Sequence, residues 1–469
     1  RPPRSTPKPS SAASDVYKRQ DLRRLTRLFL SLLVIMTSAS INFILIESSL
    51  KFWFFVFEVI LVILMLSLLR NHAKTKIKMA SSLLNTKYVI SSPFLLSLIL
   101  LIFVMLKVYN VFTLILAIVT SFFILGYIIL CLIGFKALTS PMENLVLSFY
   151  LSIPINCILF TFSLIFPEDW RATVLSSTYL ALASFIVIKQ KKLQTKQLTQ
   201  NEPLISFSAM DMLTLTIIAV FFIFSIVVTY PQMAYRPALD IVRHYSASLM
   251  INESPTSYAS PYPWFHFQLA TIQLLSKQPM IIFQTALALL SIISILSFYI
   301  MAKAYLSDLN PKLPIISTIF WSLFSGFGWL YFLTLKLGNA NPSDYLALLG
   351  AANNKSYWDV GYGQGPWIWL WFRPLTLGVT GLFILLYLLK RRDLDRKSFM
   401  IVSYLALISI GMTHFSELVF YVMLLLAFSI FLPTATQIRI KETLNSSLMA
   451  LLTILGFMFI YDVMDIKIK

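Results

Sequence analysis

The sequence predicts an all-α integral membrane protein with about thirteen transmembrane helices, and three observations support this class. Of the 469 residues, 58% are hydrophobic and 12% are charged, whereas about a quarter of the residues in a soluble domain are charged. The apolar residues form runs such as 210–230 and 280–300, each long enough to cross about 30 Å of hydrocarbon as a helix. These runs lack the apolar–polar alternation of strands in a membrane barrel.

Each apolar run predicts one spanning helix. The approximate positions are 27–46, 52–69, 89–106, 111–133, 144–166, 171–188, 210–230, 280–302, 313–332, 367–389, 399–413, 415–432 and 444–461. A shorter apolar segment, 264–276, is too short to span, and we expect it to lie in the membrane interface or to re-enter. The chain then divides into a six-helix membrane region with a cytoplasmic linker, 21–209, and a membrane core, 210–469.

The first 20 residues are expected to be foreign to the protein. Residues 1–14 are rich in Pro and Ser and show no periodicity, and residues 15–20 are the translation of a transposon end that is used in preparing sequencing libraries. We interpret residues 1–20 as a sequence-assembly artefact that is not part of the native fold. The alternative is a disordered basic tail.

The distribution of basic residues predicts the orientation of the helices. Segments 70–87, 189–209 and 390–398, and the stretch around Arg439 and Lys441, are rich in Lys or Arg. With thirteen spans, all four fall on one side, which the positive-inside rule assigns to the cytoplasm of a plasma-membrane protein. The same rule accounts for the net charge of +18, so we expect no nucleic-acid partner.

The opposite, outer side receives two long loops, 231–279 and 333–366. Loops of this length are usually functional. Three of the four histidines map to this side: His244, His266 and His414.

The first outer loop contains a candidate general base. Asp240 and His244 are four residues apart, so they share one face if this stretch is helical, and a carboxylate beside an imidazole can accept a proton. Arg236 and Arg243 flank them and suit a phosphate group. The alternative is an exposed amphipathic helix with an ordinary ion pair.

Further along this loop, two prolines at alternate positions, Pro261 and Pro263, interrupt any helix. His266 is thereby placed at the start of the apolar segment 264–276. An interfacial aromatic belt is the alternative interpretation, and it suits Tyr262 and Trp264 fully but explains His266 less well.

The second outer loop combines aromatic residues such as Trp358 with amides and glycines. Aromatic rings stack on sugar faces and amides bind hydroxyl groups, although a turn-rich outer loop is an alternative interpretation. Arg373 follows just inside the next helix, where it is either a functional cation or a side chain that reaches back to the interface.

The last candidate lies where two helices meet on the outer side. His414 and Glu417 are three residues apart and would share a face. The spacings of the acidic residues and histidines match no dedicated zinc signature, so we expect no protein-held metal, with weakly bound Mg²⁺ or Mn²⁺ as the alternative. Cys131 and Cys157 lie inside apolar runs and predict neither a disulfide nor a zinc site.

These outer-face residues resemble the GT-C superfamily of polytopic glycosyltransferases, which use lipid-phosphate-linked sugars. The resemblance covers roughly residues 210–432 and is carried by Asp240, His244, Tyr262, Pro263 and His266. It implies a GT-C-like core with extra N-terminal helices, because the acidic loop usually follows the first helix, whereas here six further predicted helices precede the one that leads into it. His414 is similar to a later histidine in uncharacterised archaeal and bacterial membrane proteins.

The resemblance implies transfer of a sugar from a polyprenyl-phosphate donor at the outer face, beside membrane lipids. Asp240, His244 and His266 are the expected catalytic residues. The expected substrate-binding residues are Arg236, Arg243, Tyr262, Trp358, Arg373, His414 and Glu417. Alternatives are a transporter, a protein that handles, polymerises or ligates lipid-linked glycans, and a catalytically inactive scaffold. A transporter usually shows sequence repeats and a midplane site, and neither is visible in the sequence.

Overall fold

A computed structural model describes the part of the chain that carries most of these candidates. The described residues are 86–133, 141–193, 211, 215, 218–219, 240–255, 262–324, 374–391, 394–431 and 434–463. They form helices joined by short turns, and no strand occurs among them. The predicted spans 27–46 and 52–69 lie outside them, as do most of the span 210–230 and the outer loop 333–366.

The chain forms two compact units by its internal contacts. The first consists of Arg1–Ala80 and Ser206–Val227, and the second of Ser81–Ile205 and Val228–Lys469. In the first unit, the described residues 211, 215, 218 and 219 are helical and buried. The predicted division of the chain at residue 209 remains a prediction.

The second unit is a bundle of helices, which we number α1 to α13 in chain order. Their bounds are α1 Thr86–Met105, α2 Val111–Leu132, α3 Pro141–Ser163, α4 Glu168–Leu193, α5 Asp240–Glu253, α6 Pro263–Ser276, α7 Met280–Leu290, α8 Ile292–Leu306, α9 Leu313–Phe324, α10 Pro374–Lys390, α11 Arg396–Thr413, α12 Phe415–Phe431 and α13 Thr434–Val463.

Four stretches of this bundle have the length and apolar composition needed to cross a membrane. They are Val111–Leu132, Met142–Ser163, Met280–Leu306 and Arg439–Val463. The third comprises α7 and α8, which are separated by a turn at Ser291. The prediction of an all-helical chain with apolar helices of membrane length is confirmed, whereas the number thirteen remains a prediction.

Helices α2 and α3 pack closely because one glycine lies at their contact. The Gly126 N–H donates to Ser152 Oγ at 2.7 Å, and a Cβ at position 126 would lie 1.9 Å from the Ser148 carbonyl oxygen. A side chain there would therefore collide with the backbone of α3. A π-helical turn, Thr120–Ile124, precedes this glycine inside α2.

Helix α6 is buried along its whole length, although it is only 14 residues long. Two of its polar side chains find partners on neighbouring helices, as buried polar groups require: Gln268 accepts from Asn156 Nδ2 at 2.5 Å, and Trp264 Nε1 donates to Tyr461 OH at 3.0 Å. Whether this segment lies in the membrane interface or re-enters remains a prediction.

One end of the bundle gathers the loop 390–398 and the start of α13. Arg391 Nη1 lies 2.9 Å from Glu143 Oε1, and Arg439 Nη2 donates to the Leu394 carbonyl at 2.5 Å. Ser398 Oγ also reaches the Ile133 carbonyl at 3.3 Å. We call this the basic end, since it joins two of the segments that the sequence predicted to share a side.

The other end, which we call the histidine end, gathers the start of α6, the α11–α12 junction and the end of α13. Trp264 near the start of α6 reaches Tyr461 near the end of α13, and the ring of Tyr262 stacks on that of His414. The chain thus brings the two histidine-bearing regions of the predicted outer side to one end of the bundle.

Candidate functional site

Helix α5 begins at Asp240, so the stretch Asp240–His244 is helical, as the predicted pairing requires. One helical turn separates Asp240 from His244. The side chain of Asp240 is outside the described part of the structure, and its pairing with His244 stays a prediction. Arg243 is exposed on the same helix.

Helix α6 begins at Pro263 directly after Tyr262. Proline suits this first position because its missing N–H would have had no partner within the helix. The first helical turn then separates Tyr262 from His266, and the His266 N–H donates to the Tyr262 carbonyl at 3.2 Å. Pro263, one of the two prolines that were expected to interrupt any helix, thus begins α6, and His266 lies in its first turn.

The two histidines of these helices are in direct contact. His244 Nδ1 lies 2.7 Å from His266 Nε2, and the His244 ring also meets the edge of Phe265 at a centroid distance of 5.0 Å. Such a hydrogen bond needs a lone pair on one ring and an N–H on the other. Burial, and then the neighbouring His244, hold the pKa of His266 well below its usual range. The pair therefore favours a neutral His266.

Tyr262 links this pair to the α11–α12 junction. Its ring lies 6.4 Å from that of His244, centroid to centroid, and stacks on His414 at 5.3 Å with an angle of 14° between the planes. His414 has an extended backbone between the two helices, and its N–H donates to the Ile410 carbonyl at 2.7 Å. This junction projects the imidazole towards Tyr262.

His414 and Glu417 form a hydrogen-bonded dyad. His414 Nδ1 bonds to Glu417 Oε2, and Ser416 Oγ lies 2.8 Å from Nδ1 and 3.1 Å from Oε2. The side chains of His414 and Glu417 are 21% and 13% exposed, so both are accessible from the surface of the bundle. The prediction that these two residues share a face is confirmed.

The backbone of α10 borders this dyad at Gly378. A Cβ at that position would lie 2.8 Å from Glu417 Oε2 and 3.1 Å from His414 Cβ. The absence of a side chain at Gly378 thus leaves room for the Glu417 carboxylate. Neither Gly378 nor Ser416 was singled out from the sequence, because their importance depends on a contact that the primary structure does not display.

The structure brings together five of the predicted site residues, all at the histidine end: His244, His266, Tyr262, His414 and Glu417. Arg236, Trp358 and Arg373 lie outside the described residues, so their roles stay predictions. Among the described residues, no group of three or more His, Cys, Asp or Glu side chains is arranged to hold a metal ion.

A second polar cluster, at the basic end, was missed by sequence reasoning. Arg391 was counted among the cations of a cytoplasmic loop, but it is fully buried and paired with Glu143, and both also bond to Tyr387 OH. A glutamate at the start of an apolar run requires a compensating partner, and this requirement could have indicated a buried ion pair at Glu143. It does not indicate which of the chain's many cations forms that pair.

A scan of the chain against protein-family models, and searches among curated proteins and solved structures, find no match. The functional conclusion therefore rests on the residues of the site.

Proposed function

We propose that this chain is a membrane glycosyltransferase that moves a sugar from a polyprenyl-phosphate donor to an acceptor at the histidine end. The observation that carries the proposal is the convergence of His244, His266, Tyr262 and the His414–Glu417 dyad. These residues come from α5, α6 and the α11–α12 junction, which lie far apart in sequence. A cluster of groups able to accept protons, at one end of an apolar bundle, suits chemistry on a head group whose lipid tail stays in the membrane.

Sugar transfer sets two chemical requirements. A proton must leave the acceptor hydroxyl, and charge that develops on the departing phosphate must be stabilised. In the proposal, Asp240 orients or activates the acceptor with help from His244 and His266. Arg243 and Arg373 neutralise the phosphate, and Arg236 and Trp358 contact the donor. The proposed site faces the outside of the plasma membrane.

The buried polar residues in the middle of the bundle bear on the transporter alternative. Carriers usually place their ligand site near the bilayer midplane. Here Asn156 bonds to Gln268 and Tyr179, and Gln268 Nε2 donates to the Ile153 carbonyl at 3.2 Å. These groups satisfy one another inside the bundle, which favours the enzyme over the carrier.

The proposal is tested with the full chain, purified in detergent and supplied with a panel of polyprenyl-phosphate sugars and octyl glucoside as acceptor. Release of polyprenyl phosphate is the measurement. We expect turnover with at least one donor and a loss of about 100-fold in Asp240→Asn, which removes the charge of the carboxylate that orients or activates the acceptor.

Glu253→Gln is the matched control, because this exposed acidic residue lies at the far end of the same helix. Its activity should equal that of the unaltered chain. Equal turnover in Asp240→Asn and the unaltered chain would remove the role given to Asp240. If the unaltered chain releases polyprenyl phosphate from none of the donors, the proposed function is wrong.

A further inference from the structure

The His414–Glu417 dyad has a hydrogen-bond arrangement that suits proton transfer. The hydrogen bond from His414 Nδ1 to the Glu417 carboxylate keeps a proton on Nδ1. Ser416 Oγ donates to the same carboxylate oxygen at 3.1 Å. The Glu417 carboxylate therefore accepts two hydrogen bonds, one from the serine hydroxyl and one from the imidazole Nδ1–H. Fixing the tautomer in this way leaves the lone pair on Nε2, as in other carboxylate–histidine pairs.

The Nε2 atom of His414 is available to a ligand. No described residue forms a hydrogen bond with it, and the side chain is 21% exposed. By contrast, His244 and His266 direct ring nitrogens at each other across 2.7 Å. That contact occupies the lone pair of one ring and the N–H of the other.

The dyad is also held in place from two sides. Tyr262 stacks on the His414 ring, and the α10 backbone at Gly378 lies beside the Glu417 carboxylate. Side chains fixed in this way need little reorganisation during the reaction, and this preorganisation lowers the activation free energy.

From this geometry we propose that His414 is the catalytic base of the site and that Glu417 is its positioning residue; this rests on the glycosyl transfer proposed above. His414 Nε2 takes the proton of the acceptor hydroxyl as the acceptor oxygen forms its bond to the sugar C1 carbon. The C1–O bond to the donor phosphate breaks, and the phosphate leaves with the electron pair. Glu417 stabilises the resulting imidazolium, which then gives its proton to water or to the departing phosphate.

In this scheme Asp240, His244 and His266 orient the substrates. The dyad, which the sequence suggested only as a contact for substrate, carries the proton transfer. The two assignments differ in a measurable way, since a missing base can be replaced by a small soluble base.

The experiment uses the full chain in detergent with octyl glucoside and a polyprenyl-phosphate sugar that the unaltered chain turns over. His414→Ala should lower kcat about 100-fold, and added imidazole should restore part of the rate. His244→Ala, the matched histidine variant, should gain nothing from imidazole. Glu417→Gln should lower kcat at least about 10-fold with little change in KM, because the tautomer is no longer fixed.

Gly378→Ala tests the positioning without altering any polar group. Its new methyl group would meet Glu417 Oε2 at 2.8 Å and displace the carboxylate, so kcat should fall about 10-fold. Gly456→Ala is the control, because nothing lies within 4 Å of a Cβ there, and it should be unchanged.

The outcomes separate the two proposals. Full activity in His414→Ala, or a loss that imidazole does not rescue, would overturn the role of His414 while the glycosyltransferase stands. If the unaltered chain releases polyprenyl phosphate from no donor, the glycosyltransferase proposal fails, and this assignment fails with it.

Discussion

The two ends of the bundle differ in how far their charged side chains are exposed to solvent. At the basic end, the side chains of Glu143 and Arg391 are 0% exposed, and they share Tyr387 as a third partner. At the histidine end, His414 and Glu417 remain partly exposed, and His414 keeps a ring nitrogen without a described partner. The fully buried cluster joins α3 to α10 and is closed to ligands, whereas the partly exposed dyad can meet one.

The largest expected effect comes from breaking the buried pair. Arg391→Met should lower the free energy of unfolding by about 3–5 kcal/mol, because the buried Glu143 carboxylate would lose its ion-pair partner. The measurement is denaturant or thermal unfolding of the purified chain in detergent.

Arg396→Met provides the control for that change. The Arg396 side chain is 73% exposed and lies 3.3 Å from Glu442 Oε1, so its loss should cost less than about 1 kcal/mol. The double change Glu143→Gln with Arg391→Met should be milder than Arg391→Met alone, since it removes both members of the buried ion pair. An equal loss of unfolding free energy in Arg391→Met and Arg396→Met would contradict the conclusion that the Glu143–Arg391 pair is buried.

At the histidine end we expect a pH effect. The folded structure lowers the pKa of His266, so it favours the neutral ring. The unfolded chain takes up a proton at about pH 6.5, and stability should therefore fall as the pH drops below that value. The slope for one proton is at most about 1.4 kcal/mol per pH unit.

Unfolding midpoints between pH 8 and pH 5.5 measure this effect. The decline should be reduced in His266→Asn and retained in His414→Gln. A decline of the same steepness in His266→Asn would show that other groups cause it.

The smallest effect concerns helix caps, one at each end. Asp395 caps α11 at the basic end by accepting from Ser398 N at 2.9 Å, and Asn110 caps α2 by accepting from Thr113 N at 2.9 Å. Asp395→Ala and Asn110→Ala should each cost about 0.5–1 kcal/mol. A much larger loss for one cap would show that it has a tertiary role.

The Asp395 cap also has a pH dependence of known sign. Hydrogen bonds from the Ser398 side chain and then its backbone lower the pKa of Asp395. Its contribution to stability is present above the carboxyl's ordinary pKa and is lost as the pH falls through the lowered value. Asn110 does not titrate, so an acid titration of the two variants separates the caps.

The sequence by itself determined the helical class and the local geometry. Long apolar runs must become helices in a membrane because no other open structure satisfies the backbone there. The contact between His414 and Glu417 is local, since His414 directly precedes α12 and Glu417 lies in its first turn, and their spacing of three residues predicted it.

Only the tertiary structure decided which distant residues meet. The contact between His244 and His266, and the stacking of Tyr262 on His414, depend on how α5, α6 and α11 pack. Arg391 finds a carboxylate 248 residues earlier in the chain. Hydrophobicity is not directional and many packings bury a similar apolar area, so the pattern of apolar residues leaves such pairings open until the close packing of particular side chains selects one.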